Sequence, residues 1–297
     1  MNVKIINNPS SGRTTIQKNL EGIVGRLVLD GTFETVKKVD TTVDFDYRAC
    51  MESAKAENVD MVMAIGGDGT VNRVVNGMMN TGLDVPLVIV PAGTVNDFAT
   101  YLDLPSDIEG ICSMIKKKSM KRIDVCKVNK KYFINIAACG LFTDVALKTN
   151  VELKTMFGRF AYYAEGIKEI PKQIFQSLPM KFSYANEEFE ENLAIFAVVN
   201  TPVVGGFKKF APEAKLDDNM FDVIIIKKTD IIDTANLFLK ILRGDHLGSD
   251  MVKHFQTDRL YVESVNEGLK IDIDGEDGGG FPAEFTIVSS AMDICIP

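Results

Sequence analysis

Residues 61–70 read MVMAIGGDGT, an apolar run, Met61–Ile65, that passes directly into a glycine-rich loop. A short apolar run bounded by glycines is typical of a buried strand, and the residues that follow, from 70 to 79, have helical spacing. Glycines at such a junction let backbone amides approach phosphate oxygens near the positive end of the helix. The stretch therefore predicts a phosphate-binding loop that contains Gly66, Gly67, Gly69 and Thr70.

Asp68 is unusual in a loop that binds anions. A carboxylate beside phosphates is reasonable if a divalent cation stands between them. The alternative is a tight strand-to-helix turn in which Asp68 caps the helix. The chain contains neither the lysine-bearing P-loop motif nor GxGxxG, so the loop belongs to neither of those two nucleotide-binding classes.

Two more loops follow strand-like runs in the same way. Val3–Asn7 leads into NPSSGR at 8–13, and Leu87–Val90 leads into PAGTVNDF at 91–98. In an open parallel sheet such loops gather at the carboxyl edge, where ligands bind. A simple turn explains NPSSG taken alone, and N-caps explain Asn96 and Asp97 equally well, but three such loops together favour one ligand site.

The rhythm of the chain predicts two domains. Over residues 1–123, short apolar runs alternate with helical patterns, which indicates an α/β domain with a parallel sheet. Over 124–287, alternating segments separated by turns indicate a β-rich domain resembling an antiparallel sandwich. A last strand near 288–297 fits either domain, and its return to the first is one of the two alternatives left open. Two helices are predicted to interrupt the second domain, at Leu153–Phe175 and, after an Asp230 N-cap and before Gly244, at Ile231–Arg243.

Composition excludes several functions. The chain has 33 basic and 41 acidic residues, a formal charge of −8, which argues against broad binding to nucleic acid. Its apolar runs are far shorter than the ~18 to 20 residues that span a bilayer. The N-terminus lacks the apolar core of a secretory signal, so a cytoplasmic location is expected. Five widely spaced cysteines are interpreted as buried thiols, and with only two histidines the chemistry must use carboxylates, amides and a bound cation.

The chain resembles the diacylglycerol kinase catalytic family, specifically the bacterial lipid kinases related to sphingosine and ceramide kinases. The resemblance rests on NNPSSG at 7–12, GGDGTVNRVVNG at 66–77, PAGTVNDFA at 91–99, the segment 193–226 and IDIDGE at 271–276. GGDGT alone is shared with NAD kinases, whereas its combination with GTVNDFA and LDD is specific. The resemblance covers nearly the whole chain.

The resemblance implies ATP bound at the carboxyl edge of the first domain, a lipid headgroup entering between the domains, and Mg²⁺. It implies ATP contacts at Asn8, Ser10, Gly67, Thr70 and Thr94, and it makes Asp68, Asp97 and Asp124 a cluster around magnesium and water. Asp274 and Glu276 become the catalytic carboxylates, with Asp274 as the base that takes the proton of the lipid hydroxyl. The segment 215–220 matches a loop that holds a structural cation through Asp218 and the carbonyls of Lys215 and Met220, although a solvated turn explains it nearly as well.

Three positions depart from the family pattern. Arg73 stands where a glutamate commonly follows the asparagine of the GGDGT helix, Thr100 stands in place of an arginine, and Asn219 in place of a glycine. Asparagine tolerates a left-handed backbone, so Asn219 is harmless. Arg73 reverses a charge one turn from the phosphates and keeps open a catalytically silent nucleotide-binding regulator.

The resulting prediction is an ATP- and Mg²⁺-dependent kinase that phosphorylates a diacylglycerol-like lipid while held peripherally on a membrane. A basic run from Lys116 to Lys131 fits contact with anionic lipid, and a solvated helix end is its alternative. An NAD kinase-like enzyme with a soluble substrate is the other competitor. The sequence leaves a homodimer open and predicts no nucleic-acid partner and no transmembrane segment.

Overall fold

A computed structural model describes residues 1–11, 14–140, 177–266 and 268–297. The predicted helix Leu153–Phe175 lies outside these residues, as do Gly12 and Arg13 of the first loop. The chain divides into two compact units: Met1–Val125 with Ser289–Pro297, and Cys126–Val288. The predicted boundary lies after residue 123, and the strand near 288–297 was expected to close one of the two domains.

The first unit alternates strands and helices. Its elements are β1 Asn2–Asn7, α1 Thr14–Leu29, β2 Thr35–Asp40, α2 Tyr47–Ala56, β3 Met61–Gly66, α3 Asp68–Thr81, β4 Leu87–Pro91, α4 Asp97–Tyr101, α5 Ile108–Lys117 and the first part of β5 Met120–Val128. The last strand of the chain, β15 Ala283–Cys295, contributes its final residues. Helix α5 was not predicted, although Asp107 caps it and its Ile111, Cys112, Met114 and Ile115 are buried.

Five parallel strands form the sheet of this unit in the order β2-β1-β3-β4-β15. Every residue of β3 and β4 is buried, as expected for central strands of a parallel sheet covered on both faces. Helices α1 and α5 pack on one face around Ile5, Met63 and Val88. Helix α2 lies on the other, where Lys4 of β1 bonds Glu57 at 3.2 Å. The strand order turns back at β1, so the loops after β1 and β3 lie at the switch point where such folds bind ligands.

The second unit is β-rich, and all its described strand pairs are antiparallel. Its elements are the end of β5, β6 Lys131–Phe133, β7 Ile136–Gly140, β8 Leu178–Tyr184, β9 Glu187–Val199, β10 Phe221–Lys227, α6 Ile231–Arg243, β11 Val252–Thr257, β12 Arg259–Ser264, β13 Lys270–Ile273, β14 Glu276–Gly280 and the first part of β15. The first half of β9 pairs with β8, and its second half lies between β7 and β10.

Aromatic and aliphatic side chains fill the core of this unit, among them Phe133, Phe182, Phe196, Phe221 and Phe285, all fully buried. The predicted fold class is confirmed: a parallel α/β unit and an antiparallel β-rich unit. Helix α6 has its predicted ends, since the Asp230 side chain accepts the Asp233 N–H at 2.8 Å and Gly244 is left-handed at φ 81°. Strand β11 was missed.

Within the described ranges, none of the helices combines the length and the apolar character that a bilayer crossing requires.

Candidate active site

Two of the predicted glycine loops touch each other, backbone against backbone. A Cβ on Gly93 would lie 2.4 Å from the Gly67 Cα, and one on Gly67 would lie 3.1 Å from the Gly93 Cα. Real Cβ atoms do not approach other atoms so closely, so Gly93 cannot carry a side chain without moving the neighbouring loop. The contact leaves a cradle of main-chain groups at the carboxyl ends of β3 and β4, beside the N-terminus of α3.

Asn96 fixes the shape of the Gly93 loop. Its Oδ1 accepts the Gly93 N–H, and its Nδ2 donates to the Gly93 carbonyl, both at 2.9 Å. Asn96 is buried and left-handed at φ 54°, a conformation that asparagine tolerates better than most residues. Its side chain therefore bonds back to the loop and does not cap α4, which Asp97 begins.

The first loop is tied to the GGDGT segment through side chains. Asn8 Nδ2 donates to Thr70 Oγ1 at 2.9 Å, and Asn8 Oδ1 accepts the Ser10 N–H at 3.1 Å. A Cβ on Gly66 would lie 2.4 Å from the Thr70 Cβ, so glycine is required there as well. The structure thus links the three loops. Ser10 and Thr94 also lie on these loops and are exposed, whereas Gly69, predicted as part of the loop, lies in the first turn of α3.

The three carboxylates assigned to magnesium differ in their surroundings. Asp68 is the first residue of α3, so Gly67 and not Asp68 is the cap, and Asp97 is the buried first residue of α4. Asp124 is 1% exposed in β5, and its Oδ1 accepts the Ser290 N–H at 2.7 Å. In the described ranges no three His, Cys, Asp or Glu side chains form a metal-holding group. The magnesium cluster of Asp68, Asp97 and Asp124 stays a prediction.

Asp274 lies at the tip of the hairpin between β13 and β14. Ile273 pairs with Glu276, so Asp274-Gly275 is a two-residue loop, with φ 51° and 89° as a type I′ turn requires. The Asp274 carboxylate accepts three backbone N–H bonds: Oδ2 from Ile134 at 2.9 Å, and Oδ1 from Asn135 at 3.1 Å and Ile136 at 2.8 Å. Such bonds favour the ionised carboxylate. Glu276, the other predicted catalytic carboxylate, is half-buried at the start of β14.

A buried polar group adjoins the segment that bonds to Asp274 and was not predicted from the sequence. The Asn200 N–H donates to the Asn135 carbonyl at 2.9 Å, and the Thr201 hydroxyl donates to the Asn135 Oδ1. Asn135, Asn200 and Thr201 are all buried. They fix the segment that holds the carboxylate, and polar residues inside an apolar strand pattern, as in FINIAACG and AVVNTP, were the available signal.

Asp272 was missed as well. It is 8% exposed, and its Oδ1 accepts the Gly275 N–H at 3.0 Å. Burial, with the charges of Asp274 and Glu276, raises the pKa of Asp272 to about 7, against the opposing effect of the Gly275 bond. In IDIDGE, the alternation that places Ile271 and Ile273 in the core places Asp272 on the opposite face.

The predicted cation loop has a local turn at its centre. Asp218 Oδ1 accepts the Met220 N–H at 3.1 Å, and Asn219 is left-handed at φ 62°. Leu216 anchors the segment in the core at 0% exposure. The cation held by Asp218 and the carbonyls of Lys215 and Met220 stays a prediction.

The buried Asp222, which follows the predicted cation loop, pairs with a histidine. Asp222 of β10 is 1% exposed, and its carboxylate contacts His254 Nε2 at 2.6 Å and Gln256 Nε2 at 3.2 Å, both on β11. The other histidine, His246, bonds the Phe210 carbonyl at 2.9 Å, and burial lowers its pKa. All five cysteines are free thiols, four of them buried, and Cys50 is half-buried.

Two family models together cover most of the chain. Residues 2–128 match the diacylglycerol kinase catalytic domain, and residues 136–296 match the YegS C-terminal NAD kinase beta sandwich-like domain. The first match defines the class of protein as a kinase.

Relatives give the family. The chain is 33% identical over 298 residues to the diacylglycerol kinase of Staphylococcus haemolyticus, covering 99% of this chain and 88% of the relative. It is 34% identical to the diacylglycerol kinase of Bacillus subtilis, with 99% and 96% covered. A crystal structure of a diacylglycerol kinase from Bacillus anthracis matches with a TM-score of 0.79 at 26% identity, covering 100% of this chain and 97% of that one. The chain belongs to the diacylglycerol kinase family.

Proposed function

We propose that this kinase transfers the γ-phosphoryl group of ATP to the free hydroxyl of a diacylglycerol-like lipid. The observation that carries the proposal is the Asp274 carboxylate, buried on a hairpin tip and fixed by three backbone N–H bonds. A carboxylate held in this way has a fixed orientation before the substrate arrives, which a general base requires. The names of the relatives supply the acceptor class.

The division of roles follows from the two units. Phosphoryl transfer needs positioning and charge neutralisation more than covalent help, so amide-lined loops suit the triphosphate. Those loops are the linked segments of Asn8, Gly67, Thr70 and Gly93. In the transfer, the lipid oxygen forms a bond to the γ-phosphorus, the bond to the ADP oxygen breaks, and Asp274 takes the hydroxyl proton.

Magnesium fits this donor set without a protein cage. Mg²⁺ with a nucleotide uses one or two carboxylates and completes its shell with phosphate oxygens and water. Asp68 and Asp97, each the first residue of a helix after a glycine loop, are the residues proposed to hold it. The ion would neutralise the triphosphate charge when bound.

We further propose that the enzyme works at a membrane surface, because its acceptor resides in lipid. Part of the basic run is engaged inside the first unit: Lys116 pairs with Asp30, and Arg122 pairs with Asp84 at 2.9 Å and Asp293 at 3.1 Å. Lys117 and Lys118 are exposed at the end of α5 and are the better candidates for contact with anionic lipid.

Transfer of labelled phosphate from γ-labelled ATP to diacylglycerol in mixed micelles tests the proposal. Product should form with Mg²⁺ and disappear with a chelator. NAD and a panel of hydroxyl lipids serve as competing acceptors. Phosphorylation of NAD but not of lipid would establish the soluble-substrate alternative, and ATP binding without transfer to any acceptor would establish the silent regulator.

A further inference from the structure

Asp272 occupies the same hairpin as Asp274, yet the roles above leave it unused. Its Oδ1 accepts the Gly275 N–H, whereas its Oδ2 is fully buried and has no hydrogen-bond partner in the described part of the chain. A buried ionised oxygen without a donor is costly. A protonated carboxyl group at this position avoids most of that cost.

The charges around Asp272 act in the same direction. Asp274 and Glu276, on the same turn, are both acidic. On β7 the residue opposite Asp272 is the apolar Ala138. None of these three neighbours offers a positive charge that would stabilise an ionised Asp272.

On β14, the residue opposite Asp272 is Asp277, which is exposed and already neutralised. Lys270 Nζ lies 3.0 Å from its carboxylate, and Lys131 donates to its carbonyl. Both Lys270 and Lys131 therefore bond to Asp277 and not to Asp272.

We propose that Asp272 is a positioning residue that works as a neutral carboxylic acid. It accepts the hydrogen bond of the Gly275 N–H and so keeps the Asp274 carboxylate in its three hydrogen bonds with backbone N–H groups. Ionisation of Asp272 places a buried charge without a partner beside the Asp274-Gly275 turn. The turn then changes conformation, and Asp274 loses its hydrogen bonds with the backbone N–H groups. The inference rests on the proposed function, because Asp274 must be the base for the loss of these bonds to matter. It predicts that the active form of the turn carries one proton on Asp272.

The pH dependence follows from the raised pKa of about 7. Between the ordinary carboxyl pKa of 3.8 and about 7, the folded protein holds a proton that the unfolded chain has lost. The stability due to this proton therefore falls as pH rises through that window and levels off above it. Turnover should fall over the upper part of the same window.

Asp272→Asn tests the proposal, since an amide keeps the acceptor for Gly275 but cannot ionise. We expect the wild-type kcat to fall about tenfold for each pH unit above an apparent pKa near 7, and the variant kcat to stay level up to pH 9. The melting temperature of the wild type should fall from pH 5.5 to pH 8.5 by several degrees more than that of the variant. Asp277→Asn removes an exposed acid of the same hairpin that is paired with Lys270, and as the matched control it should keep the wild-type profile.

Two outcomes overturn the proposal. An Asp272→Asn enzyme with the wild-type alkaline limb shows that another group titrates, and a folded variant inactive at every pH shows that the ionised form is required. The melting temperatures need no substrate. If lipid phosphorylation fails altogether but the pH-dependent stability difference appears, the proposed function is wrong and the neutral Asp272 stands.

Discussion

The glycine loops of the first unit and the Asp274 turn of the second differ in which chemical groups they present, main-chain groups in the loops and a side chain at the turn. Around Gly67 and Gly93 the absence of side chains exposes main-chain groups, and the side chain of Asn96 only shapes the loop. At Asp274 the roles are reversed, because main-chain N–H groups hold a side chain, the one proposed as the base. The first arrangement suits binding of an anion, and the second suits transfer of a proton.

The comparison teaches that binding and turnover should fail separately. A substitution at the glycine contact should damage ATP affinity, whereas one at Asp274 should damage the chemical step. If the two regions acted as one unit, both kinds of variant would change both parameters.

The largest expected effect belongs to Asp274→Asn. Loss of the base should lower kcat by ~10² to 10⁴, while ATP affinity changes by no more than a few-fold. Steady-state kinetics on diacylglycerol micelles and equilibrium ATP binding provide the two numbers, with Asp277→Asn as the exposed control. Turnover close to wild type would exclude Asp274 as the base.

Gly93→Ala should give the opposite pattern. Its methyl group would lie 2.4 Å from the Gly67 Cα, so the two loops must separate. Overpacking of this kind costs about 1–3 kcal/mol, which corresponds to a rise of roughly 5- to 150-fold in the KM for ATP if the cost falls on the binding site. Gly25→Ala is the control, because nothing lies within 4 Å of its added Cβ and alanine suits the interior of α1. Equal KM values in the two variants would contradict a binding role for the Gly67–Gly93 contact.

The smallest effect is expected at a site outside both regions. Asp230→Ala removes the cap of α6 and should lower the free energy of unfolding by about 1 kcal/mol without changing kcat or KM. Denaturant unfolding and the same kinetic assay measure both. A changed kcat would mean that α6 also contributes to turnover, in addition to the glycine loops and the Asp274 turn.

The glycine loops of the first unit could be predicted from the sequence because the motifs that indicate them are local. GGDGT, PAGTVNDF and the apolar strands before them lie within a few residues of each other, and parallel strands bring their ends to one edge. Helix α3 nevertheless begins at Asp68, two residues earlier than its spacing predicted, with Gly67 as its N-cap.

The second region was readable only in part. The Asp-Gly pair predicts a turn, but the N–H donors that hold Asp274 lie 138 to 140 residues away in the chain. No short pattern reveals such a contact, and the same is true of Asp222 with His254, 32 residues apart and joined only when β10 pairs with β11. The family resemblance identified Asp274, whereas Asp272 was found only in the structure, since the burial of its oxygen depends on packing.

The course of β15 has a consequence for how the protein is made. This strand begins in the second unit, yet Ile294 pairs with Leu87 and Cys295 is buried in the core of the first. A ribosome therefore releases residues 1–125 long before the strand that completes their sheet exists. We expect the first unit to stay incomplete until β15 has been synthesised, so that the segment 1–125 finishes folding only after the second unit has been made.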